Sequence, residues 1–161
     1  MMMVDASAVI NLDKGNVLEL ALQHGMIDAN IEGLVYDECK MPECLDAHIN
    51  NGHLTKLPEQ QVDADTFVTL LEKYGLGSGE TECIALAIQN NCAIACDDRR
   101  ARTAATAEVG GDNVTGSLGI LKKLVSAGHL SRKQAHDAYV LMRAKGAFLP
   151  DVAEDFFEPN A

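Results

Sequence analysis

The sequence predicts an α/β fold in three layers, with a mostly parallel central sheet flanked by helices. Short apolar segments alternate with longer segments of helical periodicity, which is the pattern of a parallel α/β sheet. The segment CAIAC, residues 92–96, is apolar at every position and is typical of a central strand covered on both faces. The 161 residues, 47% of them apolar, are enough to bury one core. We therefore expect a single domain over residues 1–161, in which residues 147–161 form a C-terminal extension packed on the rest.

Five short segments are predicted to be strands. The first, MMMVD, is apolar until Asp5 and is expected to end there. The segments near Met26–Ala29 and at HLTKLP, residues 53–58, are weaker candidates. CAIAC is the next strand, and GDNVT at residues 111–115 is the last.

The helices are predicted from apolar residues at helical spacing together with boundary residues. Asn16 is expected to cap the first helix and Gly25 to end it, and Pro42 ends the second or begins the turn that follows. Serine N-caps are expected at Ser78, Ser117 and Ser131. The predicted helices cover residues 16–25, 31–40, 62–77, 79–91, 99–110, 118–128 and 132–146, with a short terminal helix over 148–158. The residues expected to face inward on the third are Val62, Phe67, Leu70 and Leu71.

The charge of the chain is negative and unevenly distributed. The formal net charge of −11 argues against a large nonspecific nucleic-acid surface. Residues 1–96 carry fifteen acidic side chains and four lysines, whereas residues 97–161 carry nine of each sign. An acidic half followed by a locally basic half is compatible with a metal site that handles a polyanion, and also with an ordinary acidic protein.

Cysteine usage and hydropathy point to the cytoplasm. The five cysteines are an odd number, and the N-terminal segment lacks the basic start of a secretory signal, so we expect reduced thiols. No apolar run approaches the roughly 20 residues of a membrane span, and no membrane partner is expected.

Acidic residues follow two of the predicted strands. Asp5 ends the first strand, and Asp97 and Asp98 end the central one. Sites in parallel sheets form at the carboxyl ends of the strands, so these carboxylates are expected near one another if the two strands are neighbours. The alternative is that an aspartate at a strand end is a turn residue or a helix N-cap, which is slightly favoured for Asp98 taken alone.

Two further acids continue the apolar stripes of predicted helices. Glu38 follows Ile31, Leu34 and Val35 at helical spacing, and Glu80 precedes the stripe that begins at Cys83. An ionised carboxylate on an inward face is costly unless it is paired or bound to a metal. The alternative for Glu80 and Glu82 is a first-turn acid favoured by the helix dipole, which explains Glu82 better than Glu80.

Four converging carboxylates would repel one another and raise each other's pKa values, and a hard divalent cation removes this repulsion. Mg²⁺ or Mn²⁺ held in this way activates water and stabilises charge on a phosphate. Arg99, Arg100 and Arg102 begin a helix beside the acids and are candidates to hold nucleic-acid phosphates. The alternative for these arginines is a solvated helix face paired with Glu108.

These motifs together resemble the PIN-domain family, and within it the branch of VapC-type ribonuclease toxins and their uncharacterised relatives. The motifs, in chain order, are VDASAVINL, the glutamate of LVYDEC, GSGETECIALA, CDDRRAR and VTGSLGILKKL, and the tail RAKGAFLPDVAEDFFE is also similar. Each motif alone is weak, but five in order over nearly the whole chain favour a PIN-like fold.

The resemblance implies a set of four acids as metal ligands and catalytic residues. Asp5 corresponds to the first acid, Glu38 to the second, Glu80 or alternatively Glu82 to the third, and Asp98 or alternatively Asp97 to the fourth. The resemblance also implies supporting polar residues, namely Ser7, Glu82 and Thr115. Thr115 and Ser117 occupy a polar position near the site in relatives, where they are expected to hold a metal-bound water. Ala6 stands where threonine is more usual, a change that relatives tolerate.

The resemblance further implies hydrolysis of RNA phosphodiester bonds with Mg²⁺ or Mn²⁺, a homodimer and, for a toxin, a cognate antitoxin protein. The apolar helices over 62–71 and 117–125 are candidates for the dimer interface or for plain core.

Three other classes remain open from the residues. A PIN-like module that binds nucleic acid or protein without cleaving it is the strongest competitor. A receiver-like domain also gathers acids at strand ends, but it needs a late-strand lysine, which the sequence does not show. A zinc site built from Cys39, Cys44, His48 and His53, or from Cys92 and Cys96, lacks the close cysteine pairs of structural sites.

Overall fold

The computed structural model describes residues 1–24, 29–58 and 62–159. Its strands are β1 (Met2–Val4), β2 (Ala29–Ile31), β3 (Thr55–Lys56), β4 (Ala93–Ala95) and β5 (Val114–Thr115). Its α-helices are α1 (Ala6–Lys14), α2 (Leu18–Gln23), α3 (Gly33–Cys39), α4 (Pro42–Asn50), α5 (Ala64–Tyr74), α6 (Ser78–Gln89), α7 (Arg99–Val109), α8 (Ser117–Ser126) and α9 (Arg132–Ala144). Short 3₁₀ helices cover Gly111–Asn113 and Glu154–Phe157.

The strands form one parallel sheet in the order β3-β2-β1-β4-β5. Strand β1 is central, with Met3 aligned to Asn30 of β2 and to Ile94 of β4. Helices cover the sheet, so the predicted three-layer α/β fold with a parallel sheet is confirmed. The receiver alternative is wrong, because receiver domains have the strand order 2-1-3-4-5.

The core lies in two clusters of buried apolar side chains. The larger contains Val4, Leu12 and Ile31, together with side chains from α8 and α9. The smaller contains Met3, Ile94 and the buried side chains of α6 and α7. Consecutive residues of β1 contribute to different clusters because strand side chains alternate between the two faces. Phe157, in the terminal segment, is fully buried in the larger cluster.

Helix α1 was not predicted from the sequence. It begins directly after β1, with Asp5 as its N-cap, and buries Ala8, Val9 and Leu12. Asn16, expected to cap the next helix, instead has a left-handed backbone (φ 56°), and Val17 occupies the N-cap position.

Most other predicted boundaries differ by one to three residues. The terminal helix expected over 148–158 is wrong, since only the 3₁₀ helix Glu154–Phe157 forms there, and α4 was not predicted. Ile31 belongs to β2, so the helix expected from residue 31 begins at Gly33. Ser78 and Ser117 are first helical residues rather than N-caps, whereas Ser131 caps α9 as predicted. Pro42 begins α4.

The inward face of α5 also differs from the expectation. Leu70 is buried and Phe67 half-buried, but Leu71 is exposed. The predicted helix end at Gly25 and most of the predicted strand near Met26–Ala29 lie outside the described residues. No helix within the described residues is long and apolar enough to cross a membrane.

Candidate functional site

The acidic residues singled out in the sequence lie at the carboxyl edge of the sheet, where β1 and β4 are neighbours. Asp5 follows β1, and its backbone N–H donates to Ala95 O at 2.9 Å. Asp97 and Asp98 follow β4, while Glu38 and Glu80 reach the same edge from α3 and α6. The close packing of α3 on α6 brings the two helical acids to the two strand ends.

Asp5 is the most buried of these acids, with 2% of its surface exposed. Its Oδ2 accepts from Ser7 N at 3.0 Å, from Ser7 Oγ and from the Cys96 thiol at 3.6 Å. Its Oδ1 is buried and has no hydrogen-bond partner among the described residues. A buried carboxylate oxygen without a donor is costly and needs an external partner.

Ser7 links Asp5 to the pair that follows β4. Its Oγ donates to Asp5 Oδ2 and accepts from Asp97 N at 2.9 Å and, more weakly, from Asp98 N at 3.4 Å. The Ser7 hydroxyl therefore fixes the spacing of the β1 and β4 ends.

Glu38 extends from α3 toward the start of α6. A Cβ added at Gly79 would lie 2.6 Å from Glu38 Oε1, so glycine makes room for this carboxylate. Partial desolvation raises the pKa of Glu38 above its ordinary value, and the charge of Asp5 raises it further. A hydrogen bond from the Gly79 N–H opposes the rise. The carboxylate is therefore close enough to Asp5 for repulsion.

Glu80 lies in the first turn of α6. Its Oε2 accepts from Gly77 N at 3.0 Å, which caps the helix. Burial raises the pKa of Glu80, the hydrogen bond from Gly77 opposes this, and the charges of Asp98, Asp5 and Glu38 add to the rise. The charges of all three other predicted acids therefore raise the pKa of Glu80.

Glu82, the alternative third acid, is paired differently. Burial raises its pKa to about 8, with further contributions from a hydrogen bond with Glu32 and from the charges of Glu32 and Glu38. Its Oε2 is buried without a partner in the part of the chain that the structure describes. A proton on Glu82 at neutral pH removes one negative charge from this edge.

The pairing of Glu82 predicts a pH-dependent stability of the metal-free protein. Because its pKa is about 8 when folded and 4.5 ordinarily, the folded state holds the extra proton between these values. The free energy of unfolding should therefore fall as pH rises from about 5 to 8. The slope should be a fraction of the roughly 1.4 kcal/mol per pH unit of one fully linked proton, because the side chain is half-exposed.

Urea unfolding in EDTA at several pH values measures this slope. In Glu82→Gln the slope should be shallower, whereas Glu72→Gln, an exposed change on α5, should leave it as it is. An unchanged slope in Glu82→Gln would contradict the assignment.

Asp97 and Asp98 have different surroundings. Asp97 Oδ1 accepts from Ser117 N at 2.8 Å, and its Oδ2 accepts from Asn11 Nδ2 at 2.8 Å and from Ser117 Oγ. Asp98 is exposed and caps α7, accepting from the backbone N–H of Arg100 and Ala101 with the same Oδ1. Asp97 therefore ties β4 to α1 and α8, while Asp98 keeps Oδ2 for another partner.

The three arginines of α7 do not act alike. Arg100 donates to the carbonyls of Tyr74 and Gly75, and Arg102 donates to Cys96 O at 3.0 Å. The guanidinium of Arg99 makes no hydrogen bond or ion pair with any described residue, which leaves it free for a ligand. Glu108, the expected partner of this helix face, pairs instead with Lys73 at 2.7 Å.

Thr115, at the end of β5, and Ser117, at the start of α8, lie beside Asp97. Thr115 is half-buried and lines a cavity of about 430 Å³ that also reaches Asp97 and Arg102. Ser117 is fully buried, and both of its donors are given to Asp97. Asp97 and Arg102 lie against Gly116, where a Cβ would collide with both.

The acids lie near one another, but their side chains do not surround a single point closely enough to coordinate one ion. Within residues 1–24, 29–58 and 62–159, no three His, Cys, Asp or Glu side chains are close enough to hold a metal ion, and this covers the zinc alternatives as well. The carboxylates instead accept hydrogen bonds from the chain, as described for Glu38, Glu80 and Asp98. The donor set still fits a hard divalent cation, because it consists of carboxylate oxygens that repel one another and includes the unpartnered Asp5 Oδ1.

Sequence reasoning missed two residues that shape this edge. Glu32 is buried, caps α3 by accepting from Leu34 N at 2.9 Å, and contacts Glu82. Asn11 is buried on α1 and donates to Asp97. The sequence did contain a signal for Glu32, because an acidic residue directly before Gly33 is a possible helix N-cap. This role was missed because the helix was predicted to begin at residue 31, which put Glu32 inside it.

Comparison with known proteins identifies the family. The family model described as a PIN domain (DUF3368) matches residues 1–155. Neither the curated proteins nor the solved structures contain a match to the chain.

Proposed function

The chain belongs to the PIN-domain family, a nuclease-type fold, and on this premise we propose that it is a ribonuclease that hydrolyses RNA phosphodiester bonds with a divalent cation. The observation that carries the proposal is Asp5 Oδ1, a buried carboxylate oxygen without a hydrogen-bond partner in the described part of the chain. It lies within electrostatic reach of Glu38 and Glu80, whose pKa values it raises. A buried carboxylate oxygen without a donor, close to other carboxylates, is stabilised by a bound cation and destabilised by further negative charge.

Asp5, Glu38, Glu80 and Asp98 are the residues that would hold Mg²⁺ or Mn²⁺. When bound, such a cation stabilises charge on the scissile phosphate and lowers the pKa of water. Glu80 is preferred over Glu82, because it interacts with all three of the other acids and Glu82 holds a proton shared with Glu32. Asp98 is preferred over Asp97, because both oxygens of Asp97 already accept hydrogen bonds from Asn11 and Ser117.

The remaining residues position these acids and the substrate. Ser7 orients Asp5 by donating to its Oδ2, which leaves Oδ1 as the free oxygen. Arg99 lies next to Asp98 at the start of α7, with a guanidinium that no described residue engages. It is therefore the arginine best placed to hold a phosphate, while Arg100 and Arg102 hold the chain itself.

An RNA-cleavage assay with purified protein tests the proposal. We expect cleavage of single-stranded RNA with Mn²⁺ or Mg²⁺ and none with EDTA, and we expect either cation to raise the melting temperature. If the folded protein neither cleaves RNA nor is stabilised by either cation, the proposal is contradicted.

We further propose that the protein acts in the cytoplasm as a homodimeric VapC-type toxin with a cognate antitoxin. Val68 and Leu71 of α5 are 49% and 38% exposed, whereas α8 buries its apolar residues in the core apart from the half-buried Leu118. Helix α5 is therefore the better of the two candidate interfaces. Growth arrest on expression in a bacterial host, and a dimer mass in sedimentation equilibrium that Leu71→Glu abolishes, are the expected results.

One observation favours the competing function of a binding module without cleavage. Glu38, Glu80 and Asp98 each accept a hydrogen bond from the backbone at a helix start, so a cation would have to compete with these donors. A protein of this kind would bind RNA equally well in EDTA and in Mn²⁺ and would leave it intact, so the same assay separates the two functions.

A further inference from the structure

Phe148 is the most exposed large apolar residue described, with its side chain wholly in solvent (101% relative exposure). The backbone on both sides of it is held. Ala147 N donates to Met142 O at 3.0 Å, and the Tyr139 hydroxyl donates to Pro150 O at 2.9 Å and accepts from Val152 N at 3.1 Å. The backbone that carries the ring is therefore anchored, which lowers the entropic cost of using the ring for binding.

Phe148 lies at the junction of two open cavities. One, of about 500 Å³, extends from Asp97 and Asp98 past Lys14 and Arg99 to Phe148. The other, of about 680 Å³, continues along α7 between Arg99 and Phe148. The two cavities share Asp97, Arg99 and Phe148, so together they form a groove that leads from Asp97 and Asp98, at the edge of the acid cluster, to the exposed ring.

The charges of this groove are unusual for a chain with a net charge of −11. Lys14 and Arg99 face the groove from α1 and α7, and no described residue forms an ion pair or a side-chain hydrogen bond with either. Arg102 lines the second cavity as well. Cations that flank a free aromatic ring match the backbone and the bases of a single-stranded nucleic acid.

We propose that Phe148 is a stacking platform for an unpaired base of single-stranded RNA, with Lys14 and Arg99 on the flanking phosphates. The proposal deepens the ribonuclease function and rests on it, since it names a residue that binds the RNA outside the acid cluster and the direction in which the strand leaves the acids. A double helix cannot use the platform, because its bases are already stacked on one another.

Fluorescence anisotropy in EDTA tests the platform separately from cleavage. The probe is a labelled single-stranded RNA of about 12 nucleotides, within the site sizes of such grooves. Phe148→Leu keeps an apolar side chain without a ring and should weaken binding about tenfold. Phe148→Trp should restore the affinity, and Val140→Ala, an exposed apolar truncation on α9, should not change it. Duplex RNA of the same sequence should bind equally to Phe148→Leu and to the unmodified protein.

Equal affinity of Phe148→Leu and the unmodified protein for the single strand would overturn the platform. So would a loss of self-association in Phe148→Leu, measured by sedimentation, with unchanged RNA affinity, since the ring would then contact a second copy of the chain. Because EDTA excludes metal-dependent cleavage, failure of the ribonuclease proposal would appear as missing cleavage beside intact, Phe148-dependent binding.

Discussion

Replacing Asp5 with asparagine should lower the rate of cation-dependent RNA cleavage by more than about 100-fold, the upper end of what is lost when a residue supporting a metal ligand is removed. The reason is the loss of charge at the buried oxygen that no described residue engages. Asparagine keeps one oxygen that can accept from Ser7, but its amide nitrogen cannot serve as a cation ligand.

The fold should survive this replacement. Asp5 caps α1, and asparagine is about as good an N-cap as aspartate. Removing one of several mutually repelling carboxylates should also make the variant at least as stable as the unmodified protein in EDTA. The increase in melting temperature caused by Mn²⁺ should disappear.

Cleavage rates and melting curves with and without Mn²⁺ check both effects. Asp13→Asn is the matched control, because it makes the same chemical change at an exposed position of α1. Asp5→Asn that still cleaves at the rate of Asp13→Asn would remove Asp5 from the set of ligands and with it the basis of the proposed function.

Replacing Asp97 with alanine should have the largest effect on stability, lowering the free energy of unfolding by about 3 kcal/mol. Its carboxylate accepts from Ser117 N, Ser117 Oγ and Asn11 Nδ2, and both of these residues are buried. Without Asp97 these donors have no partner, and the nearby charge of Arg102 is less compensated.

Chemical denaturation measures this loss, and Asp98 provides the comparison. Asp98→Ala removes an exposed helix cap and should cost about 1 kcal/mol. Asp98→Asn should keep nearly full stability because the cap is retained, yet it should lose cleavage. If instead Asp97→Ala were as stable as Asp98→Ala, the network around Asp97 would not be structural, and Asp97 would return as the candidate fourth acid.

The sequence was sufficient for the architecture where burial dictates the residue type. CAIAC was predicted to be a central strand because it is short and apolar at every position, and β4 lies inside the sheet, next to the central strand β1. Asp5 was predicted to end its strand because a buried sheet does not accommodate a free carboxylate. These two inferences predicted that Asp5 and the Asp97–Asp98 pair lie at one edge if the two strands are neighbours, and β1 and β4 are paired.

The sequence was insufficient where local pattern and tertiary context disagree. Helix α1 follows β1 without a loop, and Asp5, which was interpreted as the end of the strand, is also the N-cap of the helix, so the start of the helix was not recognised. The hydrogen-bond partners of Asp97, Asn11 and Ser117, lie far from it in the chain. The two adjacent aspartates, Asp97 and Asp98, therefore cannot be distinguished from the local sequence. The pairing of Glu32 with Glu82 likewise depends on how β2 and α6 meet.

The acids at the sheet edge stand at the beginnings of helices. Asp5 caps α1, Asp98 caps α7, and Glu80 closes the first turn of α6, while Glu38 accepts from the Gly79 N–H of that turn. A helix start carries about half a positive charge on its free N–H groups. These three helix starts therefore act as built-in counterions, which offset part of the repulsion between the carboxylates in the metal-free protein. We expect a cation bound at this edge to take over part of the charge compensation that the backbone N–H groups provide in its absence.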